Sequence, residues 1–288
     1  MTYEQLKRIQ VQQLRIMDEI HRVCIEQGLR YYLIGGSALG AVRHQGFIPW
    51  DVDIDIAMPR KDYDLFLAKG NSLLSSGFNL YDYNIDKNFR LPHAIVTLEN
   101  SNLKLSCGRE INNKYGIYVD ILPLDQWPED LKKKNKQIKS LQNVKKLLRM
   151  YNGDEYEENS LFEKMVKRVI SFCMHCIFSA QYLNKKQDYI VSKYHTKNEG
   201  HNWCSMLSHY SLDKLTMPKE YFGNPTMMDF EGRMYFVPEK VLLYLHQLFK
   251  DYKKYPSIEQ RQKQMNLFSY ASWINENGIK EEIKNDKI

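Results

Sequence analysis

Between Pro49 and Pro59 the chain alternates acid and hydrocarbon: Asp51, Asp53 and Asp55 stand at every second position, with Val52, Ile54 and Ile56 between them. A β-strand sends successive side chains to opposite faces, so residues 51–57 predict a strand with one apolar and one acidic face. Carboxylates two residues apart on such a face sit about 7 Å from one another. Like charges so placed resist burial and raise each other's pKa, and no core accepts three of them unpaired. A hard divalent cation resolves the conflict, and carboxylate oxygens suit Mg²⁺ or Mn²⁺. The register is open. Asp51 with Asp53, or Asp53 with Asp55, can share one ion, but the outer two cannot. The competing reading is a row of exposed strand residues.

Upstream, a short strand at Tyr31 to Ile34 runs into Gly35-Gly36-Ser37. Paired glycines let the backbone turn tightly and approach a ligand without a side chain in the way. Ser37 is the expected N-cap of a helix through Val42, whose first amides and positive dipole end would form an anion site. A plain tight turn is the alternative. Arg43 suits a bidentate clamp on a diphosphate or, equally in chemistry, a surface ion pair. His44 suits proton transfer or a structural hydrogen bond. Phe47 and Trp50 suit a base-stacking wall or core packing. Arg60, Glu231 and Arg233 are lesser candidates.

The remaining pattern places a first helix from Leu6 to Gly28, a helix from Lys61 to Leu74, and strands at Phe78 to Tyr83, Leu91 to Leu98, Leu103 to Cys107 and Ile117 to Leu122. After Pro128 the composition turns to Lys, Leu and Met, which predicts two or three helices over 129–196. Residues 203–237 read as irregular, with short strands near Tyr221 and at Arg233 to Val237. Pro238 opens an expected last helix, Glu239 to Phe249, and the charged tail from Lys280 reads as frayed. The expectation is an α/β (α+β) half, 1–128, and a mostly helical remainder, 129–288, packed as one unit with it.

Hydrophobic content of 43%, charge of 26% and aromatic content of 12% exclude a disordered chain. The net charge of +6 is concentrated. Lys132, Lys133, Lys134, Lys136, Lys139, Lys145, Lys146 and Arg149 share one helical stretch, followed by Asp154, Glu155, Glu157 and Glu158. Such a helix faces anionic lipid, a polyanion or simply solvent. The apolar run Val169 to Leu183 is shorter than the ~20 residues of a membrane span. A polar start, MTYEQLKRIQ, carries no signal-peptide pattern, and five cysteines, an odd number, point to a reducing compartment. The expected location is cytoplasmic. Cys173-Met-His-Cys176, with His201 and Cys204, is a weak zinc pattern whose alternative is a core helix.

A glycine pair followed by spaced carboxylates resembles the nucleotidyltransferase superfamily pattern hG[GS], then Dh[DE]h. More specifically, GGSALGAVRHQGFIPWDVDIDIAMPRKDYDLF (from Gly35) resembles the signature of the LicD family. GIYVDILPLD at 116–125 and DFEGRMYFVPEKVLLYL at 229–245 are similar to two further family blocks, while 129–220 match loosely. The resemblance implies a nucleotidyltransferase-like mixed β-sheet core and a metal-dependent phosphotransferase. Such an enzyme moves a phospho-alcohol, foremost phosphocholine, from a CDP-alcohol donor to a hydroxyl of a cell-surface glycan (teichoic acid, capsule or lipopolysaccharide), releasing CMP. It implies Asp53, Asp55 and Asp120 as metal ligands, Asp51 as a neighbouring catalytic carboxylate, and Gly35, Gly36, Ser37, Arg43 and His44 on the donor. Asp125 matches too, in an expected turn. Val52 departs from the commoner WDDDID by removing a carboxylate that would point away from the other three. The implied acceptor is a glycan, lipid-linked in many such systems, so peripheral contact at the inner face of the membrane is expected and nucleic acid is not. The rival readings are a nucleotidyltransferase that uses an NTP and releases pyrophosphate, and a non-catalytic nucleotide- or glycan-binding relative.

Overall fold

Helix α1 (Tyr3–Gln27) begins on a capping box in which the Thr2 side chain accepts from the Gln5 amide and the Gln5 side chain accepts from the Thr2 amide; it ends at Gly28, φ 64°. The computed structural model describes residues 1–105, 115–153, 161–195, 200–275 and 277–284. In it the expected seam of Leu6, Ile9, Leu14, Met17, Ile20 and Cys24 is buried. Gln10 and Gln13 are buried beside it, which hydrophobic periodicity does not foresee.

The chain continues through β1 (Tyr32–Leu33), α2 (Gly35–His44), β2 (Asp55–Pro59), α3 (Arg60–Leu73), β3 (Phe78–Tyr81), β4 (Ala94–Leu98), β5 (Asn102–Leu105) and β6 (Tyr118–Gln126). A mixed sheet runs in the order β1-β2-β6-β4-β3, with β2 and β6 parallel and the other neighbours antiparallel. Helices α1 and α3 pack against it. The architecture is α/β, as the pattern predicts. β4 is buried at all five positions, the mark of a strand covered on both faces.

Three helices follow, α4 (Leu131–Asn152), α5 (Leu161–Ile177) and α6 (Ala180–Ser192), with a small apolar cluster of their own around Val144, Leu148, Met174 and Leu183. The acidic stretch 154–158 and Cys107 lie outside the described residues. β7 (Asn202–Cys204) then returns to pair with the far end of β6. The turn α7 (Leu212–Leu215) leads to β8 (Thr216–Pro218), which pairs with β7.

Several C-terminal expectations are corrected. Tyr221 lies in the helical turn α8 (Lys219–Phe222), not on a strand. The hairpin is β9 (Thr226–Phe230) with β10 (Arg233–Val237). Helix α9 (Val241–Phe249) is followed by α10 (Ile258–Met265), β11 (Phe268–Ile274) and β12 (Lys280–Lys284). The segment read as a frayed tail is therefore a strand. β12 pairs with β11, and β11 with β5, so the C-terminal part contains sheet as well as helix. Ile283 stands opposite Ala271 and both are buried, whereas Lys280, Glu282 and Lys284 dominate the composition and hide that single apolar position.

Candidate active site

The acidic segment is extended, but its first half is not in the sheet: β2 begins only at Asp55. What holds residues 51–54 is α1. Gln10 Nε2 donates to the Asp51 carbonyl and Gln13 Nε2 to the Val52 carbonyl, each at 2.9 Å. The Asp120 amide donates to the Ile54 carbonyl at 3.0 Å. Parallel pairing of β2 with β6 then sets Asp55 directly beside Asp120. Carboxylate oxygens of Asp53, Asp55 and Asp120 lie within 4.8 Å of one another, the group of three among the described residues placed to share one ion. The structure thus brings together the Asp53-Ile54-Asp55 register with Asp120.

The electrostatics of this cluster are strained. Burial, followed by the charges of Asp55, Asp51 and Asp120, pushes the Asp53 carboxyl well above its ordinary value. Burial, then Asp120 and Asp51, does the same to Asp55. Burial raises Asp51 to about 6, against hydrogen bonds from Val52 and Gln264 that favour its charged form. No lysine or arginine is paired with these three acids among the described residues. An oxygen-rich, crowded anionic pocket fits a hard divalent cation, which would relieve all of these shifts at once. Asp120 is steadied from behind by His93, whose Nε2 lies 2.6 Å from its Oδ1.

Asp51 is a different kind of residue. Its Oδ1 accepts from Gln264 Nε2 of α10 at 2.7 Å and from the Val52 amide at 3.2 Å, and it is 4% exposed. Gly36 abuts its Oδ2 so closely that a Cβ there would collide with the carboxylate. Gly35 takes φ +55°, open to glycine at little cost, and donates its amide to Tyr244 Oη at 2.8 Å. The glycine pair therefore makes room for the acids as well as for a ligand. Gly36→Ala is expected to shift Asp51 and lower turnover about tenfold or more, with a loss of stability of about 1–3 kcal/mol. Steady-state kinetics and a thermal melt on one preparation check both parts.

Ser37 is not the N-cap of α2; that place is held by Ile34, without a side-chain bond. The Ser37 hydroxyl accepts instead from the Asp55 amide at 2.9 Å, joining the helix start to β2. The amides of Gly36 and Ser37 belong to the first turn of α2, which an α-helix cannot satisfy internally.

A cleft of about 940 Å³ opens over these groups, lined by Gly36, Arg43, Trp50, Asp51, Asp53 and Asp55 on one side and by Tyr210, Tyr252, Lys254, Tyr255, Lys263 and Gln264 on the other. Arg43 is in the wall, and two of its donors serve protein atoms: Nε reaches His44 Nε2 at 3.0 Å and Nη1 the Tyr252 carbonyl at 2.8 Å. Its guanidinium lies over Tyr255 at 4.6 Å, and Arg261 stacks on Trp50 at 4.7 Å. Burial, then the Arg43 charge, lowers the His44 pKa, and the ring packs edge-on to Trp50 and Tyr255. Trp50 is buried in this stack, and Phe47 packs on Phe230 at 5.0 Å.

Other sequence candidates are placed elsewhere. Asp125 lies on β6, not in a turn, is fully buried, and is bound at both oxygens by Arg60 at 2.7 Å. Glu231 accepts from the Phe47 amide and Arg233 pairs with Asp18. Cys173 and Cys176 are exposed, so that face of α5 is not core, and exposed His201 pairs with Glu129 while Cys204 is buried. These four do not gather as a metal group. Gln10, Gln13, His93, Tyr210 and Gln264 were not foreseen. An isolated polar residue in a helix or loop leaves no periodic signal of the side chain it will meet across the fold.

Comparison with known proteins adds three findings. The family model described as LicD/FKTN/FKRP, nucleotidyltransferase domain, matches residues 28–145. The chain is 28% identical over 277 residues to the lipopolysaccharide cholinephosphotransferase LicD of Haemophilus influenzae, covering 89% of this chain and 94% of that protein. It is also 54% identical over 35 residues to the ribitol 5-phosphate transferase FKRP of Homo sapiens, 12% of this chain and 7% of that one.

Proposed function

We propose that this chain, similar to the LicD family over residues 28–145, is a metal-dependent phosphotransferase moving a phospho-alcohol, phosphocholine foremost, from a CDP-alcohol to a glycan hydroxyl. The observation that carries the reading is the convergence of Asp53, Asp55 and Asp120 within 4.8 Å beside the first turn of α2. The Haemophilus relative, named for transfer to lipopolysaccharide, supports phosphocholine and a surface glycan.

In this reading Asp53, Asp55 and Asp120 would hold Mg²⁺ or Mn²⁺, which when bound neutralises charge on the donor diphosphate. The Gly36 and Ser37 amides meet a phosphate oxygen at the helix start. The acceptor hydroxyl attacks the phosphorus bearing the alcohol, in line with the departing CMP oxygen. Asp51, with Oδ1 fixed by Gln264, faces the cleft and takes the hydroxyl proton. His93 keeps Asp120 aligned. Tyr210, raised in pKa by burial and by the aspartate charges, stays protonated and donates a hydrogen bond.

The test is CMP release from CDP-choline, CDP-ribitol and CDP-glycerol with Mg²⁺ or with EDTA. Metal-dependent CMP from one donor is expected and names the alcohol. Pyrophosphate from an NTP with no CMP from the panel would replace this reading with an ordinary nucleotidyltransferase. Donor binding without either product would leave a binding protein.

A further inference from the structure

Helix α5 turns an apolar ridge to solvent. Met165 is 56% exposed, Val169 58%, Phe172 71% and Ile177 68%, and Cys176 is exposed as well. Positions 165, 169, 172 and 176 follow one another at helical spacing on a single face, while Met174, 7% exposed, points into the cluster shared with α4 and α6. A helix on a water-facing surface places polar residues on that ridge, so the exposed side has a non-aqueous occupant.

The charge beside the ridge says which. Helix α4 carries eight lysines and arginines and no Asp or Glu. Between α4 and α5 lies a groove of about 760 Å³, rimmed by Lys146, Arg149 and Lys167 and floored in part by Met150 and Ile170. On α6, exposed Lys185 and Lys186 extend the positive surface. A second copy docking through the same patch would set like charge against like. No helix among the described residues is long and apolar enough to cross a membrane.

We propose that α5 lies in the interfacial plane of a bilayer containing anionic phospholipid, with Val169, Phe172 and Cys176 entering the acyl boundary and Lys146 and Arg149 meeting headgroup phosphates. Amphipathic helices bind in this way through buried apolar area and electrostatic attraction together. The proposal deepens the acceptor side of the reading above, since a lipid-linked glycan is presented at such a surface, and its test uses neither donor nor turnover.

The full chain is sedimented with vesicles of phosphatidylcholine alone and of phosphatidylcholine with phosphatidylglycerol, at low and at raised salt. Binding is expected to the anionic vesicles only, and to weaken with salt. Val169→Glu/Phe172→Glu should cut binding by about tenfold or more without lowering the melting temperature, because both side chains are already exposed. Lys146→Glu/Arg149→Glu should weaken binding through charge alone and keeps the test independent of the apolar variant. Absence of vesicle binding by the parent, or equal binding by Val169→Glu/Phe172→Glu, overturns the proposal. So does a dimer in sedimentation equilibrium that this variant converts to monomer while vesicle binding is absent.

Discussion

Asp53→Asn is expected to lower the proposed metal-dependent CMP release by roughly 10³-fold or more while leaving the metal-free protein at least as heat-stable as the parent. A bound cation supplies several kcal/mol of charge stabilisation, and about 4 kcal/mol corresponds to roughly a thousandfold in rate. Asparagine keeps the volume of Asp53 and removes one of the crowded charges. Carboxyls raised in the folded state contribute stability that is complete below their unfolded values, about 4. That contribution is lost as pH rises through the folded values, about 6 for Asp51 and well above the ordinary carboxylate range for Asp53 and Asp55. In EDTA, therefore, the parent should lose stability as pH is raised from about 4 past 6. Mg²⁺ should restore more of it at the higher pH, where the ligands are deprotonated. Asp53→Asn should flatten the EDTA profile and respond less to Mg²⁺. Thermal melts across pH, with and without metal, sit beside the kinetics. Full activity in the variant would return Asp53 to the rank of an ordinary residue of the extended segment before β2.

Arg60→Met is expected to destabilise the protein by about 3–5 kcal/mol, the usual cost of breaking a buried ion pair from one side. For a chain of this size that is a fall of roughly 10 °C in melting temperature. Arg60 begins α3 with its side chain 2% exposed, binds both oxygens of Asp125 on β6, and reaches Asp188 of α6 at 2.9 Å. Burial works against the guanidinium charge, and the carboxylates of Asp125 and Asp188 outweigh it, so its pKa is raised. Removing Arg60 leaves Asp125 buried and unpaired. The double variant Arg60→Met/Asp125→Leu should recover most of the lost stability, because apolar groups of similar size replace the pair. If the double variant is stable but inactive, Arg60 or Asp125 acts in chemistry and not only in holding α3, β6 and α6 together.

The legibility of the chain follows the range of the interactions. Helix α1 and its Gly28 stop, α3 and β10 were readable because periodicity, glycine and proline act on neighbours a few residues apart, whereas only the second half of the expected strand 51–57 lies in β2. Asp53 and Asp55 were readable for the same reason. Asp120 was reached only through resemblance of its block, and Asp125, in that same block, turned out to be an ion-pair partner in the core. Ser37 was misread because its hydroxyl meets the Asp55 amide, 18 residues away; Tyr221 falls in a single helical turn, α8, and β12 closes a hairpin with β11 whose charged residues hide Ile283.

The sequence by itself determined that three aspartates would alternate with apolar residues over 51–56, since an alternating pattern needs no partner. Which of them stand close enough to share an ion was decided by the tertiary structure. Parallel pairing of β2 with β6 placed Asp120 beside Asp55, two glutamines of α1 fixed the backbone of 51–52, and Gln264 drew Asp51 aside. A carboxylate's chemistry depends on its distances to other charges and on the water it has lost, and only the folded chain sets those.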